Sequence, residues 1–265
     1  MSTINYSAIV EQVRHIASKA GKYIQEESVK FRQSDIELKG EHDYVTYVDK
    51  NAEALIVEGL RPLISGAGFI TEEDTASHQN EYFKWIIDPL DGTTNFIHGI
   101  PLYCVSIALM EGNEVVVGVV YEINLDECFY AWKGGEARLN GEKISVSKNT
   151  DFDTALLATG FPYYDYGRLD AYLKVFEYLM RHTAGLRRLG SAAADLAYVA
   201  CGRFEGFYEY GLNAWDVAAG AFIVEMAGGK VTGFTGERNF VFGRELLAGN
   251  ASGHNGLLKV MQQFF

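Results

Sequence analysis

A chain of 265 residues, 48% hydrophobic and 22% charged, has the make-up of an ordinary globular protein with a substantial core. With 23 Lys and Arg against 35 Asp and Glu, its formal charge of −12 disfavours a nucleic-acid partner, since Arg187-Arg188 is the main cluster of positive charge. Without a run of about eighteen apolar residues no membrane span is expected, and Met1-Ser2-Thr3-Ile4-Asn5 lacks the pattern of a secretion signal, so a cytoplasmic location is expected.

Apolar residues at three- and four-residue spacing, Val10, Val13, Ile16, Ala20 and Ile24, predict an amphipathic helix from about Tyr6 to Glu27. Ala52, Leu55, Ile56 and Leu60 predict a second from about Val48 to Leu63. Phe83 to Ile87 reads as a strand that stops at the Asp88-Pro89 turn. Cys104–Met110, Val115–Tyr121 and Cys128–Trp132 are strand candidates, with a connection at Glu111-Gly112-Asn113 and a tight turn at Asn140-Gly141. Helices are then predicted at Leu169–Arg181, Ser191–Cys201 and Val217–Met226, and short strands at Phe204–Tyr208, Lys230–Phe234 and Leu246–Ala248. The pattern is α+β in two halves, residues 1–150 and 151–265, joined near Ser147–Thr154 in one compact unit. Cys104, Cys128 and Cys201 lie apart in apolar runs and read as buried free thiols.

The chemistry concentrates in Asp88-Pro89-Leu90-Asp91-Gly92-Thr93-Thr94-Asn95-Phe96. A strand delivers Asp88, Pro89 turns the chain, and Gly92 permits close backbone approach before Thr93-Thr94 caps a following helix. Two carboxylates on one turn repel each other, and a divalent cation removes that conflict. Mg²⁺ prefers such hard oxygen ligands. Free backbone N–H groups beside it suit a phosphate oxygen. Further acids occur at Asp49, at Glu72 in Glu72-Glu73-Asp74 beyond the apolar Phe69-Ile70, and at Asp216 at the start of the small-residue stretch Val217-Ala218-Ala219-Gly220. For Asp49 and Asp216 a helix-capping role stays open, and for Glu72 a solvated turn.

Together Asp43-Tyr44-Val45-Thr46 with Asp49, Glu72-Glu73, the Asp88–Phe96 string and Trp215-Asp216-Val217-Ala218-Ala219-Gly220 resemble the signature motifs of the inositol monophosphatase family, part of a larger group of Mg²⁺-dependent, Li⁺-sensitive phosphatases, over nearly the whole chain. The resemblance implies an alternating αβαβα layered sandwich, assembled as a homodimer. It implies that Glu72, Asp88 and the Leu90 carbonyl bind one Mg²⁺, that Asp88, Asp91 and Asp216 bind a second, and that Glu72 touches a third, weaker ion. It gives the phosphate to the backbone N–H groups of Gly92 and Thr93, with Thr94 beside them, and pairs Asp49 with the Thr93 hydroxyl. Glu209 matches a contact to substrate hydroxyls, Gly190 and Ala192 match the sugar-pocket lining, and Lys39 matches a basic residue near the outer metal. Departures from the usual pattern fall at Thr71, Asn213 and Tyr44, and none removes a ligand.

These expectations describe a phosphomonoester hydrolase in which water activated by the metal attacks phosphorus directly, with Asp49, Thr93 and Glu72 as the catalytic set. A small phosphate ester is the expected partner, inositol monophosphate first. Fructose 1,6-bisphosphate, 3′-phosphoadenosine 5′-phosphate, histidinol phosphate and NADP are the alternatives. Glu209 favours a neutral polyol, because a carboxylate accepts hydroxyl hydrogen bonds and repels a second phosphate. A non-catalytic, metal-binding interaction protein would be expected to have a broken acid set, whereas all five acids are present. His98 reads as a loop or core residue rather than a base, and Phe161-Pro162-Tyr163-Tyr164-Asp165-Tyr166 as a lid or a packed loop.

Overall fold

The computed structural model describes residues 4–32, 36–40, 43–74, 82–161 and 165–265, with side chains omitted at 36–40 and 43–45. The side chain of Lys39 and the stretch 162–164 therefore lie outside the described residues.

The first helix, α1 (Tyr6–Ser28), forms as its spacing predicts and buries Val10, Val13, Ala17, Ala20 and Ile24. Its start is capped by Asn5, whose Oδ1 accepts the Ala8 N–H at 3.2 Å. A hairpin of β1 (Ile36–Gly40) and β2 (Asp43–Thr46) leads into α2 (Tyr47–Leu60), which packs beside α1. Both helices cover one face of a sheet whose strands are β3 (Gly68–Thr71), β4 (Phe83–Asp91), β5 (Cys104–Glu111), β6 (Glu114–Glu122), β7 (Glu127–Trp132), β8 (Arg138–Leu139) and β9 (Glu142–Lys143). They lie in that order, antiparallel except for the parallel β3–β4 pair.

Successive side chains of a strand point to opposite faces. Trp85 and Ile87 of β4 join the core under α1 and α2, whereas Ile86 between them joins the core on the other face. Ile107 and Leu109 of β5 alternate with Ala108 in the same way. The sheet is thus buried on both sides, and each fully buried Leu, Ile or Phe side chain contributes about 1.5–3 kcal/mol.

The second face meets α5 (Ala192–Ala200) and α6 (Ala214–Met226). These two helices are sandwiched against a second sheet, ordered β11-β10-β12-β14-β13, of β10 (Leu156–Thr159), β11 (Gly185–Arg187), β12 (Gly206–Tyr210), β13 (Lys230–Thr232) and β14 (Glu245–Gly249). Helix α4 (Leu169–His182) and helix α7 (Ala251–Phe264) close its outer face over Leu157, Tyr208 and Leu247. The layering is therefore αβαβα, as the resemblance implies.

Small residues make the middle layer thin. A Cβ on Gly220 of α6 would stand 2.6 Å from the Leu196 Cβ of α5, and one on Gly118 of β6 would stand 2.9 Å from the Ala219 carbonyl. Neither separation is tolerated, so a larger residue at Gly118 or Gly220 would drive the layers apart. Among the described residues no helix is long and apolar enough to cross a membrane. Cys104 and Cys128 are buried free thiols, and Cys201 is half-buried.

Three local details differ from the sequence reading. β4 does not stop at Asp88 but continues through Pro89 to Asp91, because its pairing with β5 slips between Asp88 and Asp91 and so spares the missing proline N–H. Thr93 and Thr94 do not cap α3 (Thr93–Ile97); Gly92 occupies the cap position with φ of 101°. Helix α6 begins earlier than predicted, so Asp216 lies inside its first turn and Asn213 stands at the cap.

Candidate active site

The acidic residues reach one cleft from separate elements. Glu72 follows the end of β3, and its N–H is bonded to the Ile87 carbonyl of β4 at 3.3 Å. Asp88 is only 2% exposed, and its Oδ1 accepts the Leu90 N–H at 3.0 Å. Asp91 ends β4, and Asp216 arrives from α6. Ser106 of β5 anchors that helix start by donating to the Trp215 carbonyl at 3.1 Å.

Gly92 is a position where glycine is required. Its φ of 101° lies in the left-handed region, and a Cβ there would press on the Leu102 and Gly190 carbonyls at 3.2 and 3.3 Å. Gly190 has φ of 95°, and the preceding Leu189 carbonyl is held by Asn95 Nδ2 at 2.8 Å. The two turns therefore pack against each other at the cleft.

Thr93 Oγ1 lies 3.0 Å from both Asp49 Oδ1 and the Leu90 carbonyl, either of which can accept its proton. Asp49 is fully buried in the first turn of α2, and its Oδ2 accepts from the Thr46 N–H at 2.9 Å and from the Thr46 hydroxyl at 2.6 Å. The capping role and the Thr93 contact thus coexist, one on each carboxylate oxygen. Asp91 Oδ2 accepts from the Ser191 hydroxyl at 2.7 Å and from the Ala193 N–H at 2.6 Å, at the start of α5. Asp216 Oδ2 accepts the Asn213 N–H at 2.6 Å.

These contacts and the burial around them set the titration of the group. Burial pushes Asp88 well above the carboxylate range, and the charges of Glu72, Asp91 and Asp216 push it further. Burial likewise raises Asp91 to about 6, against the pull of Ser191 and the α5 amides. Asp216 rises to about 7 through burial and the charge of Asp91. Burial also raises Asp49, against its bonds from Thr46 and Thr93. Four mutually repelling carboxylates in one pocket form a set of hard oxygen donors that a divalent cation fits. Among the described residues, no three His, Cys, Asp or Glu side chains, these four acids included, are placed to hold a metal ion as they stand. They share the cavity while one oxygen each of Asp88, Asp91 and Asp216 is turned to a protein N–H.

The cavity measures about 390 Å³ and is lined by Glu72, Asp88, Leu90, Asp91, Gly92, Thr93 and Thr94. Gly190, Ala192, Glu209 and Asp216 also line it. Glu209 sits on β12, is 8% exposed, and is raised well above the carboxylate range by burial, with Arg188 opposing. Gly160 gives it room, since a Cβ there would fall inside the Glu209 carboxylate. Phe161 lines the rim, with the Arg188 guanidinium 5.2 Å from its ring centre. His98 is exposed just past α3 and is not part of the lining.

The sequence reading gives no individual site role to Ser191, Asn95, Arg188 or Asp195. Only Ser191 carries a local signal, as a serine before an Ala-rich helix whose hydroxyl accepts the Ala194 N–H at 3.2 Å. Asp195 is 1% exposed on α5, lines the cavity, and is raised well above the carboxylate range by burial and by the charges of Glu209 and Asp91.

Comparison with known proteins gives the geometry a lineage. The model of the inositol monophosphatase family matches residues 5–264. The inositol-1-monophosphatase of Mesorhizobium japonicum is 38% identical over 258 residues, 97% of each chain. The Nus factor SuhB of Escherichia coli K12 is 42% identical over 235 residues, 88% of each chain. Among solved structures, the IMPase of Thermotoga maritima superposes with a TM-score of 0.85 at 34% identity, covering 95% of each chain.

Proposed function

Because the chain belongs to the inositol monophosphatase family, we propose that it is a Mg²⁺-dependent phosphatase that hydrolyses inositol monophosphate or a closely related small polyol phosphate. One observation carries the reading. Glu72, Asp88, Asp91 and Asp216 line a single cavity from three separate stretches of the chain, and Asp88 is driven far up by burial and by the other three.

Glu72, Asp88, the Leu90 carbonyl, Asp91 and Asp216 would hold two or three Mg²⁺. Bound there, Mg²⁺ supplies positive charge that activates water and offsets the charge of the phosphoryl group and the leaving oxygen. The same charge lets a chain of formal charge −12 accept an anionic substrate. The protein's own groups do the rest. Thr93 receives the proton of the attacking water at Oγ1 and passes its own to Asp49 Oδ1, 3.0 Å away. Burial that raises the Asp49 pKa makes that carboxylate a readier acceptor. The Gly92 and Thr93 amides orient the phosphate, with Thr94 alongside. Glu209, with Gly190 and Ala192, receives the hydroxyl-bearing leaving group and sorts substrates by it.

The deciding experiment is a phosphate-release screen over a panel of esters, with Mg²⁺, without it, and with Li⁺ added. Inositol monophosphate should lead the panel, activity should vanish in chelator, and Li⁺ should inhibit. Phosphate release indifferent to Mg²⁺ would refute the reading.

A second reading rests on the relatives named Nus factor SuhB, and gives the chain a binding role as an accessory factor in addition to catalysis. The complete acid set supports retained catalysis. A variant that is inactive as a phosphatase yet complements loss of such a factor would establish the second role separately.

A further inference from the structure

Helix α2 presents a second buried carboxylate one turn beyond Asp49. Glu53 is fully buried, and its Oε2 accepts the backbone N–H of Glu73 at 2.8 Å. The preceding N–H, that of Glu72, goes to the Ile87 carbonyl at 3.3 Å. Two consecutive amides are thus pinned, one to β4 and the next to α2. The chain then turns at Asp74, whose φ of 53° is a left-handed conformation that a non-glycine residue holds only when its surroundings impose it. A side chain points where the backbone on either side of it is fixed, so these two bonds aim Glu72 into the cavity. Glu53 itself lies outside the cavity lining.

The helix therefore references two sides of the site to one rigid body. Asp49 sets the position of Thr93, and Glu53, four residues on and so on the same helix face, sets that of Glu72. We infer that Glu53 is a positioning residue for the metal site, fixing the Glu73 amide and through it the Glu72 carboxylate. Mg²⁺ affinity then depends on a hydrogen-bond acceptor at position 53 that never touches the ion. The inference rests on the proposed role of Glu72.

Two substitutions separate the acceptor from the charge. Glu53→Gln keeps an oxygen at the same reach and loses the charge. Glu53→Asp keeps the charge and withdraws the oxygen by one methylene. Mg²⁺ binding by the full chain is measured calorimetrically in the absence of substrate, alongside the thermal midpoint of each protein in chelator. Glu53→Asp should weaken Mg²⁺ binding about tenfold or more, as expected when a group that orients a metal ligand is lost, and Glu53→Gln should bind much as the parent does. Unchanged affinity in Glu53→Asp overturns the inference. So does equal weakening in both variants, or a lower midpoint in chelator with affinity unmoved, which is the mark of a purely structural role. A parent chain that takes up no Mg²⁺ at all overturns the metal-site assignment, and the inference with it.

Discussion

Ser191 and Asp91, one hundred residues apart in sequence, meet at 2.7 Å, with the serine hydroxyl donating to the carboxylate at the point where α5 abuts the end of β4. The same hydroxyl accepts from Ala194 at the helix start. A single side chain thereby caps a helix and steadies a carboxylate of the site.

Ser191→Ala removes both bonds. Loss of a cap costs about 1 kcal/mol, and a buried carboxylate deprived of a donor costs about as much again or more. A combined loss of about 2 kcal/mol is expected, read as a thermal midpoint lower by about 4–8 °C. Ser191→Thr should restore most of it. An unchanged midpoint for the alanine variant would show that Asp91 finds another donor.

Without metal, pH should act on stability in the direction the raised carboxyls dictate. Asp91, at about 6, and Asp216, at about 7, hold a proton more tightly in the native state than in the unfolded chain. Their contribution is complete below the ordinary carboxylate range near 4 and is lost as pH rises through those values. In excess chelator, the midpoint should fall by at least about 5 °C between about pH 5 and about pH 8. Added Mg²⁺ should recover it at the upper end, because the ion takes over the compensation that the proton gave. A midpoint that rises over this interval in chelator contradicts the shared burial of the acids.

Asp88→Asn tests the centre of the set. Removal of one preorganised electrostatic group costs on the order of a hundredfold or more in kcat. Asparagine keeps the shape and the acceptor for the Leu90 N–H, so folding should survive while Mg²⁺-dependent turnover collapses. Parent-like turnover at ordinary Mg²⁺ concentration would remove Asp88 from the proposed ligand set.

Glu209→Ala should act on selectivity rather than on the chemical step. Its carboxylate lines the cavity beside Gly160. KM for polyol phosphates should rise about tenfold, the value of one hydrogen bond to a charged group, while simple aryl phosphates lacking hydroxyls are affected far less. Equal loss on both classes would mean that Glu209 supports the fold and not the substrate.

Most helices and the acids are readable from the chain because each rests on a local pattern, whereas the layering is legible only through the family resemblance. The 3.6-residue stripe of α1 and the Asp88–Phe96 string specify themselves within a few turns of sequence. Helix α7 left no such trace. It carries Gly253 and Gly256, which lower helix propensity. The fold needs both, because side chains there would collide with the Glu205 carbonyl and the Phe152 ring. The run of β4 through Pro89 was hidden for a related reason, since only the neighbouring strand shows that the ladder slips where the proline N–H is missing. The bonds from Ser191 to Asp91 and from Asn95 to the Leu189 carbonyl depend on contacts about a hundred residues apart, which no local pattern encodes.

The division of the acids between distant stretches bears on how the protein is made. A nascent chain that has emerged as far as Asp91 carries Glu72, Asp88 and Asp91 but neither Ser191 nor Asp216, so the bond that steadies Asp91 cannot yet form. Synthesis must pass α6 before the cleft can exist, so ion uptake during translation would date the moment when the two sheets first dock.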